Sequence, residues 1–369
     1  MSATVTPDSG LLAAVTSTLC MMNLPLYRPD PVSAANAQLV GRDTPLKAAA
    51  RGLIRGELLQ VADHYGIGVK ILAALRAELE PPGDGAPFAT RLAFKRRYRE
   101  AAERLLAPIA QHRLALADAQ PIGFLAELYP ELERFSLPFP AVQELHGAWL
   151  RYEEGTRLAV IGHRVHPFYG TYAPTRTSHL ELFGTWLSQY TGPRAQAIDV
   201  GTGCGVLALM LAKAGFQEVM ATDSNPNAVE SLRRELLRIT DPPPISLIHA
   251  DLMGEGTQAA ELVVFNPPWI RGEVDDLLDQ ALNFQDGLFE RFFSQASQRL
   301  QPDGRVVLIF SNVIQLLQPD VPHPILSELE RGRFRLVQKL QRKVKPAPGK
   351  DGRRRRTREK VEVWELAQV

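Results

Sequence analysis

The stretch AIDVGTGCGVLAL, residues 197–209, decides the fold. It begins as a short apolar run, passes through Gly201, Gly203 and Gly205, and continues directly into the helix-forming residues GVLALMLAKAG (205–215). A strand that turns through glycines into a helix is the repeating unit of a parallel α/β sheet. The glycines permit a tight turn and let a ligand approach the backbone closely. Two details argue against a dinucleotide. The spacing is G-x-G-x-G rather than the G-x-G-x-x-G of a pyrophosphate-binding turn. Asp199 also stands two residues before the first glycine, where a carboxylate repels phosphate but suits a cationic or amino-bearing ligand.

Working outward, short apolar runs alternate with helical ones from about residue 155. RLAVIGHRV (157–165) and FYGTYAPT (168–175) come first, followed by a helix from about Ser178 to Tyr190. Strands are then expected at 195–200, 218–223, 245–250, 261–265, 305–310, 333–340 and 360–366, with helices at 226–239 and about 286–300. These seven strands predict a doubly wound, mainly parallel seven-stranded sheet. No helix fits between the last two, so they should form an antiparallel C-terminal hairpin at one edge.

In open α/β sheets the carboxyl ends of the strands face the ligand. Asp223 ends EVMATD (218–223), where an acid can accept both hydroxyls of a ribose, and Asp251 ends the next strand, where an adenine amine could be met. Each acid alone is an ordinary turn former or helix cap. Three acids at the ends of successive strands, around a glycine turn, describe a ligand with a ribose, an adenine and an amino-acid head but no phosphate. S-adenosylmethionine fits, cradled by Asp199, Gly201, Thr202, Gly203, Gly205, Asp223 and Asp251. One strand further on, VVFNPPWIRG (263–272) stops at an asparagine, two prolines and a tryptophan. Proline cannot donate to a sheet ladder, so the strand must end there and leave a polar, rigid, aromatic corner.

The succession DVGTGCG (199–205), ATDSN (221–225), ADL (250–252) and FNPPW (265–269) resembles the class I methyltransferases of the small-domain type, over about residues 155–369. Asparagine-proline-proline-aromatic is, within that group, similar to enzymes that methylate a planar amine or amide nitrogen. These include exocyclic-amine adenine and guanine methyltransferases and the release-factor glutamine methyltransferases. The resemblance implies a Rossmann-like methyltransferase fold, S-adenosylmethionine as cofactor, and a catalytic segment Asn266, Pro267, Pro268 and Trp269. The Asn266 side-chain oxygen and the Pro267 carbonyl would accept the N–H bonds of the acceptor, the prolines would keep them aimed, and Trp269 would stack on a flat group. Two departures stand out. Trp269 replaces the more usual tyrosine or phenylalanine, and YGTYAPTRTSHLELF (169–183) replaces the proline-arginine-proline-acid-threonine-acid stretch of the glutamine enzymes, whose place Pro174 and Thr175 could take. The acceptor therefore stays open between RNA, a protein glutamine and a small planar metabolite. A non-catalytic S-adenosylmethionine-binding module is the alternative from another class.

Residues 1–150 read as a mostly helical N-terminal domain, for substrate recognition or as a lid, ahead of a methyltransferase domain at 151–369. DTPLKAAARGLIRGELLQVADHYG (43–66) has Thr44 as an expected cap and apolar residues from Leu46 to Val61 at roughly helical spacing. TRLAFKRRYREAAERLLAPIA (90–110) places Phe94, Tyr98, Leu105 and Ile109 on one face of a second helix, with Arg91, Lys95, Arg96 and Arg99 as a basic stripe. The net charge of +1 hides a segment, 342–360, with 10 basic and 2 acidic side chains. Its run GKDGRRRRTREK (349–360) reads either as a solvated loop or as a loop that tracks phosphates beside the substrate, hence an expectation of nucleic-acid binding. No apolar run reaches the ~18 residues of a membrane span. The patch GLLAAVTSTLCMMNLPL (10–26) has no basic residue before it, so a docked helix is expected rather than a secretory signal. The 2 cysteines, Cys20 and Cys204, belong to no metal-type pair, which fits a reducing cytoplasm. His163 and His166 could begin a metal site, but no further ligand is spaced to complete it, and no metal is expected.

Overall fold

The computed structural model describes residues 24–83, 85–172, 174, 176–256, 258–272, 281–344 and 358–369. Expectations for residues 10–23, including Cys20, and for 349–357 of the basic run, with Arg353 to Arg356, lie outside the described residues. The chain divides into two compact units. One is Arg28–Glu154; the other joins residues 24–27 to Gly155–Val369.

The first unit runs β1 (Gln38–Val40), α1 (Leu46–Arg55), β2 (Leu59–Val61), α2 (Tyr65–Glu78), α3 (Phe88–Ala102), β3 (Leu105–Ala110), β4 (Arg113–Leu114), α4 (Phe124–Leu128), β5 (Arg134–Pro138) and α5 (Phe139–Glu154). It is an α/β unit, which corrects the expected mostly helical domain. Strands β1, β2 and β3 pair in parallel, and β4 and β5 add to β3 antiparallel. The sequence misleads here because β2 and β3 are short strands covered on both faces, whose apolar runs merge with the helices before them. Leu105, Leu106 and Ala107 are all fully buried, so Leu105 and Ile109 extend a strand rather than a helix. Helix α1 stops at Gly56, whose φ of 95° is left-handed, and Val61 then lies in β2. Thr44 does not cap α1; its hydroxyl oxygen accepts from the Gly41 N–H at 3.0 Å.

The second unit opens with an antiparallel pair, β6 (Thr156–Leu158) and β7 (His163–Val165). The expected single strand 157–165 is thus broken by a turn through Gly162 at φ 89°, and 168–172 carries no strand. There follow α6 (Ser178–Gln189), β8 (Gln196–Val200), α7 (Val206–Lys213), β9 (Glu218–Asp223), α8 (Pro226–Arg238), β10 (Ile245–His249), β11 (Ala260–Phe265), β12 (Ile270–Arg271) and β13 (Asn283–Phe284). The unit ends with α9 (Leu288–Arg299), β14 (Leu300–Ser311), α10 (Val313–Leu317), α11 (Pro324–Arg331), β15 (Phe334–Lys343) and β16 (Lys360–Gln368).

The main sheet has seven strands in the order β10-β9-β8-β11-β14-β16-β15. The first five are parallel, and β16 runs antiparallel to both β14 and β15. Side chains alternate between two cores, as the two-residue period of a strand requires. Leu262 and Val264 join Trp186, Leu211 and Leu232 of α6, α7 and α8 on one face. Val263 and Phe265 join Phe292, Phe293 and Ile325 of α9 and α11 on the other. The strand order reverses between β8 and β11, and that reversal opens a crevice at their carboxyl ends. No helix among the described residues is long and apolar enough to cross a membrane.

Candidate active site

Val200 and Phe265 are register partners at the ends of β8 and β11, so the residues that follow, Gly201 and Asn266, leave the sheet side by side. Both line a cavity of about 430 Å³ at the switch point, together with Thr202, Gly203, Asp223, Asp251 and Pro268. Residues 65 positions apart in sequence are thereby joined in one pocket.

The glycine turn is held by hydrogen bonds to the neighbouring strand. The Thr202 N–H donates to the Thr222 carbonyl at 2.9 Å, and the Gly203 N–H donates to Asp223 Oδ2 at 2.9 Å. Gly203 has φ 55°, and a Cβ built on it meets no atom within 4 Å, so its cavity side is open to a ligand. Gly205 does different work. At φ 82°, a Cβ would lie 2.3 Å from Leu232 Cδ1, so this glycine lets α7 start against α8 and does not line the cavity.

The three acids are placed differently. Asp223 lines the cavity, and Oδ1 and Oδ2 each accept one backbone N–H, from Asn225 and Gly203. Each oxygen keeps a lone pair for a ligand hydroxyl. Burial pushes its carboxyl above the ordinary range, opposed by those two N–H bonds. Asp251 is exposed at the rim, where its Oδ2 lies 3.3 Å from Arg291 Nη2, and both side chains line the cavity. Asp199 does not reach the cavity. It is fully buried, and its Oδ2 accepts from the Thr202 hydroxyl at 2.7 Å and the Ala208 N–H at 3.0 Å, pinning the turn to α7. Asp199 Oδ1 is buried with no partner among the described residues, and burial raises the carboxyl to about 7.

At the end of β11, Asn266 and Pro268 line the cavity, Pro267 is buried, and Trp269 is half-buried and not among the lining residues. Trp269 instead packs against both cores and donates its indole N–H to Asn266 Oδ1 at 3.2 Å and the Ile309 carbonyl at 3.3 Å. Beyond it, β12 pairs with β13, and Gln318 grips Arg271 from both sides: its Oε1 accepts the Arg271 N–H, and its Nε2 donates to the Arg271 carbonyl. That brace carries Asn283, Phe284, Gln285 and Asp286 to the cavity wall.

Sequence reasoning missed three contributors. His179 on α6 lines the cavity, and burial lowers its imidazole to about 4, so it is neutral at neutral pH. Tyr172 lines it from 168–172, a segment tied to α8 by hydrogen bonds from Asn225 Nδ2 to Gly170 and from Thr171 Oγ1 to Asn227. Buried Arg299 donates to the Gln258 and Met253 carbonyls and so fixes the loop after Asp251. His179 and Tyr172 both lie in the stretch 169–183 set against the glutamine enzymes, whereas a lone arginine near a helix end carries no signal. Cys204 lines the cavity as a buried thiol pushed up to about 12, which makes it inert. Glu235 accepts from the His166 backbone N–H and lies 3.2 Å from its Nδ1, yet no group of three or more His, Cys, Asp or Glu suited to a metal occurs among the described residues.

A doubly wound sheet with an antiparallel final hairpin, a glycine turn at its switch point and Asn-Pro-Pro beside it defines a class I methyltransferase domain. Residues 182–321 match the family described as the methyltransferase small domain. Similar sequences include a protein of Methanocaldococcus jannaschii provisionally named a protein N5-glutamine methyltransferase, 28% identical over 31% of this chain and 61% of its own. A tRNA1(Val) (adenine(37)-N6)-methyltransferase of Porphyromonas gingivalis is 27% identical over 47% of this chain and 69% of its own. A ribosomal protein L11 methyltransferase of Symbiobacterium thermophilum is 33% identical over 32% and 44%. The chain thus spans less than two thirds of two of these three relatives.

Proposed function

We propose that this protein transfers a methyl group from S-adenosylmethionine to a planar amine or amide nitrogen in RNA or another component of translation. The observation that carries the reading is that Asn266 and Pro268 open onto the same cavity as Gly203 and Asp223. The residues suit the cofactor: Asp223 has free lone pairs for a ribose, Gly203 leaves open space against the backbone, and Asp251 stands at the rim for the adenine. Asp199 serves the cofactor indirectly, by bracing the turn.

When bound, S-adenosylmethionine supplies a methyl group on a positively charged sulfur. An acceptor nitrogen conjugated to a ring or carbonyl is a poor nucleophile because its lone pair is delocalised. Asn266 Oδ1, with the backbone carbonyl of Pro267, would accept its N–H bonds, favour a pyramidal nitrogen and hold the lone pair in line with the methyl carbon. As the new N–C bond forms and the C–S bond breaks, the nitrogen becomes acidic and gives up its proton. Neutral His179 on the cavity wall is available to take it.

Relatives named for glutamine, tRNA adenine and ribosomal protein L11 support a translation-related acceptor. The α/β unit Arg28–Glu154 is assigned to acceptor recognition, and the cytoplasm is the compartment proposed. Incubation with tritiated S-adenosylmethionine and either total RNA or the proteome of a strain lacking the gene tests the reading. Label in a nucleoside or in a translation protein supports it; cofactor binding with no label in either pool overturns it.

A further inference from the structure

An indole N–H is a donor only, whereas a carboxamide presents an acceptor at one end and donors at the other. Trp269, which is not among the cavity's lining residues, directs its N–H at Asn266 Oδ1, at 3.2 Å. If the carboxamide turned over, Nδ2 would meet that N–H donor to donor, an arrangement with no hydrogen bond. The direction of the N–H is itself fixed, because the Ile309 carbonyl of β14 shares it at 3.3 Å. The indole is held in turn by the His179 ring, perpendicular to it at 88° with centroids 5.6 Å apart.

We propose that Trp269 is a positioning residue, whose indole N–H locks the Asn266 carboxamide oxygen in the orientation that receives the acceptor nitrogen. Oδ1 has a second lone pair, which the indole leaves free for the acceptor N–H. The inference rests on the proposed methyl transfer, and it accounts for a tryptophan where tyrosine or phenylalanine is more usual: neither ring carries an N–H at that place. Trp269 acts through Asn266 and does not touch the acceptor.

The test uses the full chain and two readouts. The chain has 4 tryptophans, and Trp269→Phe identifies which indole signal in a 15N-correlated spectrum belongs to Trp269. Asn266→Ala should shift that signal and speed its hydrogen exchange, while Asn266→Asp, which keeps an oxygen there, should leave it protected. An unmoved signal in Asn266→Ala overturns the proposal. In the labelling assay, Trp269→Phe should lower kcat about tenfold, with KM and the calorimetric Kd for S-adenosylhomocysteine within about twofold of the parent. An unchanged kcat also overturns it. A parent protein that binds S-adenosylhomocysteine but labels nothing counts against the proposed function alone, and the indole signal still decides the positioning role.

Discussion

The backbone N–H of Gly203 donates to Asp223 Oδ2 across 2.9 Å, which ties the glycine turn after β8 to the end of β9. One carboxylate therefore both shapes the turn and lines the cavity. Removing it should cost twice, in the conformation of the turn and in the contact it offers. Asp223→Ala is expected to weaken S-adenosylhomocysteine binding by about 1–3 kcal/mol in calorimetry. Affinity equal to that of the parent would remove Asp223 from the ribose site.

Gly203 and Gly205 separate binding from folding. Both have positive φ, but only Gly205 faces a side chain that a methyl would strike, Leu232. Gly205→Ala should lower the thermal midpoint, by about 2–4 kcal/mol in stability from overpacking and backbone strain together. Gly203→Ala should fold with a smaller loss, because its methyl enters open space, and should instead weaken the cofactor that needs that space. Melting curves and calorimetry on the pair would show opposite rankings; the same ranking in both would contradict these roles.

Asp199 predicts a pH dependence. Burial raises its carboxyl from 3.8 unfolded to about 7 folded. A raised acid stabilises the fold fully below its unfolded value, and that contribution is lost as pH rises through the folded one. Stability should therefore fall between about pH 4 and 7, by at most ~1.4 kcal/mol per pH unit from this group. Asp199→Asn should flatten that part of a curve of thermal midpoint against pH. An unchanged slope would show that Asp199 does not titrate there.

Much of this site could be read before any coordinates. The switch-point cavity followed from the glycine turn and the strand that ends at Asn266, because both signals are local and chemically unusual. Strand boundaries such as 218–223 came out as expected, since each apolar run ended in a turn residue. The N-terminal unit was misread for the opposite reason. LLAPIA (105–110) is buried on both faces, and an all-apolar run of that length has no period by which to tell strand from helix. The hydrogen bond of Trp269 to Asn266 was not legible, because its direction depends on Ile309 and His179, contacts 40 and 90 residues away along the chain. Asp199 was read as a ligand contact because spacing places a residue near a turn but does not say which way its side chain points.

The central claim is that Asn266 acts on the acceptor and not on the cofactor. The most direct measurement compares the parent protein with Asn266→Ala for methyl transfer from tritiated S-adenosylmethionine into total RNA and protein, alongside the Kd for S-adenosylhomocysteine. The account predicts label with the parent and none above background with the variant, at a Kd within about twofold, because the lost contacts belong to the acceptor nitrogen. Equal labelling by Asn266→Ala, or a loss of labelling explained entirely by lost cofactor binding, would contradict it.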